Sequence, residues 1–163
     1  MSERATILVA DDDAAMRDAC CQVLEPEGYT VKEVESGEAA LAAIRLEAFD
    51  LVILDLKMPR VDGMGILRRI QQESPGTAAV VITGYPTVES AVEAMKLGAA
   101  DFLPKPFTPD VLRLTVRRAL RGARMAKENL LLRSQLDECR GRDYELVGQS
   151  QAMQQIGDLV RRV

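Results

Sequence analysis

The stretch Leu51-Val-Ile-Leu-Asp55-Leu-Lys-Met-Pro59 decides how the rest of the chain is read. Leu51 to Leu54 is apolar without polar alternation, the pattern of a strand covered on both faces inside a parallel sheet, and it ends on a carboxylate, Asp55. Working outward, comparable runs occur at Thr6 to Ala10, Thr30 to Val34, Ala79 to Ile82 and Asp101 to Leu103. Segments of helical periodicity separate them. Five β/α units before residue 121 predict an α/β fold, a parallel sheet with helices on both faces.

The intervening helices carry their own signals. Ala15, Ala19, Val23 and Leu24 form one apolar stripe, stopped by Pro26 and Gly28. Ser36 is placed to cap the second helix. Ile66, Leu67 and Ile70 mark a third after Asp62-Gly63, and Val88, Ala91, Val92 and Met95 mark a fourth, closed by Gly98. Thr108 is placed to cap the fifth, which the residues continue well past a compact domain: from Pro109 to Arg140 only Gly122 interrupts strong helix formers. Along it Leu112, Val116, Ala119, Ala123, Ala126 and Leu130 alternate spacings of four and three, a weak coiled-coil seam that predicts a dimerising linker. Gly141, Arg142 and Asp143 are expected to end it, and Tyr144 to Gly148 leads into a new helical stretch with Met153, Ile156 and Val160.

Composition bounds the function. Of 163 residues, 47% are hydrophobic and 28% charged, and no apolar run approaches the roughly 20 residues of a membrane helix. Neither a membrane span nor a signal peptide is expected, so the cytoplasm is. The net charge of -4 is split: residues 1–110 hold 10 Lys+Arg against 19 Asp+Glu, and the remainder 11 against 6. The basic residues of the second part follow a helical pattern that predicts a solvated face rather than a nucleic-acid site. Cys20, Cys21 and Cys139 lack metal spacing and read as reduced, buried thiols. With no histidine in the chain, His-based triads and His-ligated metals are excluded.

In an open parallel sheet, ligands bind at the carboxyl ends of the strands. Those ends collect Asp11, Asp12 and Asp13 after the first strand, Asp55 after the third, Thr83 after the fourth and Lys105 after the fifth. Clustered carboxylates repel unless a cation intervenes, and an all-oxygen set suits Mg²⁺, which leaves room for phosphate oxygens. A carboxylate can then be the nucleophile of a phosphoryl transfer, with metal and lysine neutralising charge.

Four motifs together, Ile7-Leu-Val-Ala-Asp-Asp-Asp13, Leu54-Asp-Leu-Lys-Met-Pro59 with Asp62-Gly63, Ile82-Thr-Gly84 and Lys105-Pro-Phe107, resemble the two-component receiver domain over about residues 4–122. The resemblance implies a flavodoxin-like doubly wound sheet of five strands, with Asp55 as phosphoacceptor. It implies Mg²⁺ held by Asp12, by Asp11 mainly through water, by Asp55 and by the backbone carbonyl of Lys57. Thr83 and Lys105 would hold the phosphoryl group, Lys105-Pro106 would be a cis peptide, and Phe102 would be the aromatic switch that turns inward as Thr83 moves. Asp13 is left as a helix cap.

Gly84 to Lys96 and Tyr144 to Met153 look like enhancer-binding activators of the nitrogen-regulation type. These join a receiver, a helical linker and an AAA+ ATPase acting on sigma-54 RNA polymerase. The chain is accordingly expected to divide into a receiver (1–122), a linker (123–142) and the start of a truncated ATPase domain or a tail (143–163). The implied partners are a sensor histidine kinase, a second copy through the linker and, only through domains absent from this chain, RNA polymerase with sigma-54 and DNA. An enzyme acting on outside substrates would want a second acid-base carboxylate two residues past the nucleophile, where Lys57 stands. A stand-alone adaptor working by protein–protein contact is the remaining alternative.

Overall fold

The computed structural model describes residues 4–147, with side chains over 4–140. The core is built on β1 (Thr6–Ala10), β2 (Thr30–Val34), β3 (Leu51–Asp55), β4 (Ala78–Thr83) and β5 (Asp101–Pro104), all parallel in the order β2-β1-β3-β4-β5. The helices are α1 (Ala14–Leu24), α2 (Gly37–Leu46), α3 (Gly63–Glu73), α4 (Val88–Lys96) and α5 (Pro109–Val147). A short antiparallel ladder pairs Lys57–Met58 with Val61–Asp62 around Arg60, whose φ is 71°. The chain forms two compact units, Met1–Arg124 and Met125–Val163.

Because successive strand residues point to opposite faces, each central strand feeds two cores. Leu8, Val52 and Leu54 pack with Ile66, Leu67 and Ile70 on the α2/α3 side. Ile7, Val9 and Ile53 pack with Cys20, Leu24, Leu112 and Val116 on the other. Leu51 to Leu54 is fully buried, each side chain contributing on the order of 2 kcal/mol.

Caps end the loops as the residues suggest. Asp13 accepts from the Ala15 N–H at 3.0 Å, Ser36 from the Ala39 N–H at 3.1 Å, and Thr108 from the Val111 N–H at 3.3 Å. Strands β3, β4 and β5 run a residue further than expected, so Asp55 and Thr83 are the last residues of their strands, inside the ladder rather than after it.

Five expectations need correcting. In α1 the buried residues are Cys20 and Leu24, flanked by Met16 and Val23, while Ala15 and Ala19 face solvent. In α4 the stripe of Val88, Val92 and Met95 is exposed and Ala94 is the buried residue, since the face turned to the core packs its small alanine in the same cluster as Ala79 and Ala99. Of the three thiols, only Cys20 is buried. The helix does not end at Gly141 but continues to Val147, since a single interior glycine costs only about 1 kcal/mol. The expected element of Met153, Ile156 and Val160 lies outside the described residues. The proposed seam is also divided: Leu112, Val116 and Ala119 belong to the receiver core, whereas Leu130 is exposed. Among the described residues no helix is long and apolar enough to cross a membrane.

Candidate functional site

The register of the sheet brings the site together. Ala10 pairs with Leu54, Asp55 with Ile82 and Thr83 with Pro104, so the residues ending β1, β3, β4 and β5 reach one rim. Asp11 is fully buried there, held by its N–H donating to Val34 O at 3.2 Å. Its carboxylate accepts from the Asp13 N–H at 2.9 Å through one oxygen and from Lys105 Nζ at 2.9 Å through the other. Asp55, 4% exposed, accepts from the Lys57 N–H at 3.0 Å and from Lys105 Nζ at 3.3 Å.

Asp12 is exposed, yet a carboxylate oxygen from each of Asp11, Asp12 and Asp55 lies within 4.8 Å of the others. An oxygen set this tight fits a hard divalent cation, with Asp12 on the solvent side where an ion would enter. Thr83 is buried; its Oγ1 accepts from the Tyr85 N–H at 3.2 Å, and its carbonyl accepts from the Lys105 N–H at 2.8 Å. The Lys105-Pro106 peptide is cis. Phe102 stands on β5, half-buried against the α2/α3-side core.

The electrostatics follow from burial. Desolvation raises the Asp55 carboxyl above its ordinary range and Asp11 adds to the rise, while the Lys57 N–H and Lys105 oppose it. Lys105 is pulled the other way by its own partial burial, but hydrogen bonds and attraction to Asp11 and Asp55 outweigh that and raise it. The pocket therefore holds a firmly protonated lysine against two buried carboxylates.

Two features escaped the sequence. Arg17, on α1, donates to the Asp11 carbonyl at 2.7 Å and pairs with Glu33 at 3.4 Å, tying the acidic turn to the end of β2. Lys57 lays its ammonium over the Tyr85 ring, 3.6 Å from the centroid, at the rim of the pocket. Spacing hinted at the latter, since each lies two residues beyond a pocket residue.

The model of the response regulator receiver domain matches residues 7–117, spanning every one of these pocket residues. The chain belongs to this family. The chain is similar to the C4-dicarboxylate transport transcriptional regulatory protein DctD of Rhizobium meliloti, 33% identical over the whole of this chain and 35% of DctD. The structure of NtrX from Brucella abortus superposes with a TM-score of 0.75 at 36% identity, over 99% of this chain and 35% of NtrX. The beryllofluoride-activated NtrC4 receiver domain dimer matches 72% of this chain and 98% of its own, with a TM-score of 0.70 and 34% identity. The chain thus spans about a third of the length of DctD and NtrX.

Proposed function

We propose that this receiver is the phosphorylation switch of a two-component system and that Asp55 accepts a phosphoryl group from a sensor histidine kinase. The observation that supports this most is the Lys105 ammonium held between Asp11 and Asp55, beside a carboxylate set suited to a cation. An Asp55 oxygen attacks phosphorus in line, the bond to the donor nitrogen breaks, and its electron pair leaves with the imidazole. Asp11, Asp12, Asp55 and the Lys57 carbonyl would hold Mg²⁺, which when bound supplies charge neutralisation for the phosphoryl oxygens. Lys105 then pairs with one of those oxygens, and the Thr83 hydroxyl donates to another. Movement of Thr83 frees space for Phe102 to turn inward, a two-state change driven by local charge. The chain is a signalling phosphoacceptor that turns over only its own phosphate.

The output surface is the face made by α4, β5 and α5, where Val88, Val92 and Met95 are exposed. From there the signal passes to the linker, residues 123–142, and on to residues 143–163, which we read as the start of an ATPase domain or a tail. We read the whole protein as a cytoplasmic activator of transcription that works on sigma-54 RNA polymerase through an ATPase and a DNA-binding module outside this chain, and that forms a homodimer through the linker helix. Incubation with Mg²⁺ and acetyl phosphate, followed by intact mass, tests the central claim. One phosphoryl mass is expected on the wild type and none on Asp55→Asn. No gain on the wild type, or equal gain on both, overturns it.

A further inference from the structure

Beyond the receiver unit, α5 carries apolar side chains in water: Met125, Leu132 and Leu136 are 61%, 58% and 59% exposed. The seam expected from the sequence does not use them. Its first three members are buried in the receiver, and its continuation past Leu130 runs through Arg133 and Asp137. Leu130 and Leu131 do not extend into stripes either, since seven residues on they meet Asp137 and Glu138. One stripe persists: Met125, Asn129, Leu132, Leu136 and Cys139 follow spacings of four, three, four and three, with Met125, Leu132 and Cys139 seven apart.

We propose that residues 125–140 pack in parallel and in register against the same residues of a second copy of this chain, through the stripe of Met125, Asn129, Leu132, Leu136 and Cys139. The inference rests on the dimeric reading above and names its contact surface. The charges beside the stripe set the orientation. Glu128 and Gln135 flank one side, Arg133 and Arg140 the other. In a parallel pair a residue on the first side meets the residue five further along on the second copy, which joins Glu128 to Arg133 and Gln135 to Arg140. Antiparallel packing would instead set the arginine flank of one helix against the arginine flank of the other. Asn129 fixes the register, because its amide is satisfied across the seam only when it meets Asn129 of the second copy. At 1.5 Å per residue the contact is about 24 Å long, just over two heptads, so the pair is weak and exchanging.

Cysteine trapping tests this on the full chain in a Cys21→Ser, Cys139→Ser background, where Cys20 stays buried. Mild copper-phenanthroline oxidation of Leu132→Cys is expected to give a disulfide dimer at least tenfold faster than Leu131→Cys or Asp137→Cys, since only the former lies on the stripe. Wild-type Cys139 is expected to cross-link as Leu132→Cys does, and adding Leu136→Asp to remove it. Equal trapping at Leu131→Cys, in a chain that sediments as a dimer, overturns this seam and leaves dimerisation standing. A monomer at 200 μM with no trapping at any position overturns both.

Discussion

The Lys105 ammonium reaches back fifty positions in the sequence to lie 3.3 Å from the Asp55 carboxylate. The same ammonium is 2.9 Å from Asp11, so one cation answers two carboxylates that are both almost wholly withdrawn from water. Lys105→Met leaves that pair uncompensated. We expect a loss of about 3 kcal/mol in urea denaturation without divalent ions, largely restored by millimolar Mg²⁺. An unchanged urea midpoint would show that the lysine is not what holds the carboxylates.

The pH dependence of stability follows from the same burial. Because the Asp55 carboxyl is raised, the native state binds that proton more tightly than the unfolded chain does. Its contribution to stability therefore falls as pH climbs from the ordinary carboxylate value through the raised one. In EDTA, Asp55→Asn should match the wild type near pH 4 and be the more stable of the two at pH 7. Parallel stability curves for the two proteins would contradict the assignment.

Gly63 tests the wall of the acceptor turn. A Cβ there would stand 2.5 Å from Leu56 O and 2.6 Å from Leu56 Cα, the backbone that directly follows Asp55. Gly63→Ala is expected to cost about 2 kcal/mol and to slow phosphoryl uptake by displacing the acceptor. Gly65→Ala, whose new Cβ would meet nothing nearer than 3.7 Å, is the control and should do neither.

The two faces of α5 should differ sharply under truncation. Leu112 is 1% exposed and Leu114 is 48% exposed. Leu112→Ala is expected to cost about 3 kcal/mol and Leu114→Ala under about 0.5 kcal/mol, read from thermal or urea midpoints. Similar midpoints would mean that the start of α5 is not receiver core.

Thiol labelling reads the α1 face. Burial, with help from Asp11, pushes the Cys20 thiol up to about 12, and burial followed by Glu33 pushes Cys21 up to about 11. In Cys139→Ser, Ellman's reagent at pH 8 should react slowly with the native protein and rapidly once it is unfolded, with the native rate rising with pH as thiolate forms. Glu33→Gln should speed Cys21 more than Cys20, since Glu33 acts on both thiols but comes last among the causes that raise Cys20.

The strands and the pocket could be read in the sequence because both are one-dimensional signals. A strand buried on two faces has no polar residue to hide, and the residue that ends it announces the rim. Leu51 to Asp55 is the clearest case. Helix faces were read less well, for a physical reason. A stripe of large apolar residues does not by itself say which face meets the core, and in α4 a small residue, Ala94, faces inward while Val88 and Met95 are left outside. Along α5 the apolar residues serve two surfaces in succession, and a single periodic count across Pro109–Arg140 merged them. A side-chain meeting such as Arg17 with Asp11 depends on loop paths that no local pattern encodes, whereas Lys57 with Tyr85 left only the hint of matched spacing from Asp55 and Thr83.

The Lys57–Tyr85 contact also makes the pocket visible to light. The chain has no tryptophan and three tyrosines, so its ultraviolet emission comes from few sources, and one of them lies under a cation at the rim of the acceptor site. Any event that draws Lys57 off the ring changes the surroundings of that phenol. Comparison with Tyr85→Phe isolates its share of the signal, giving the native protein a built-in optical reporter that needs no dye.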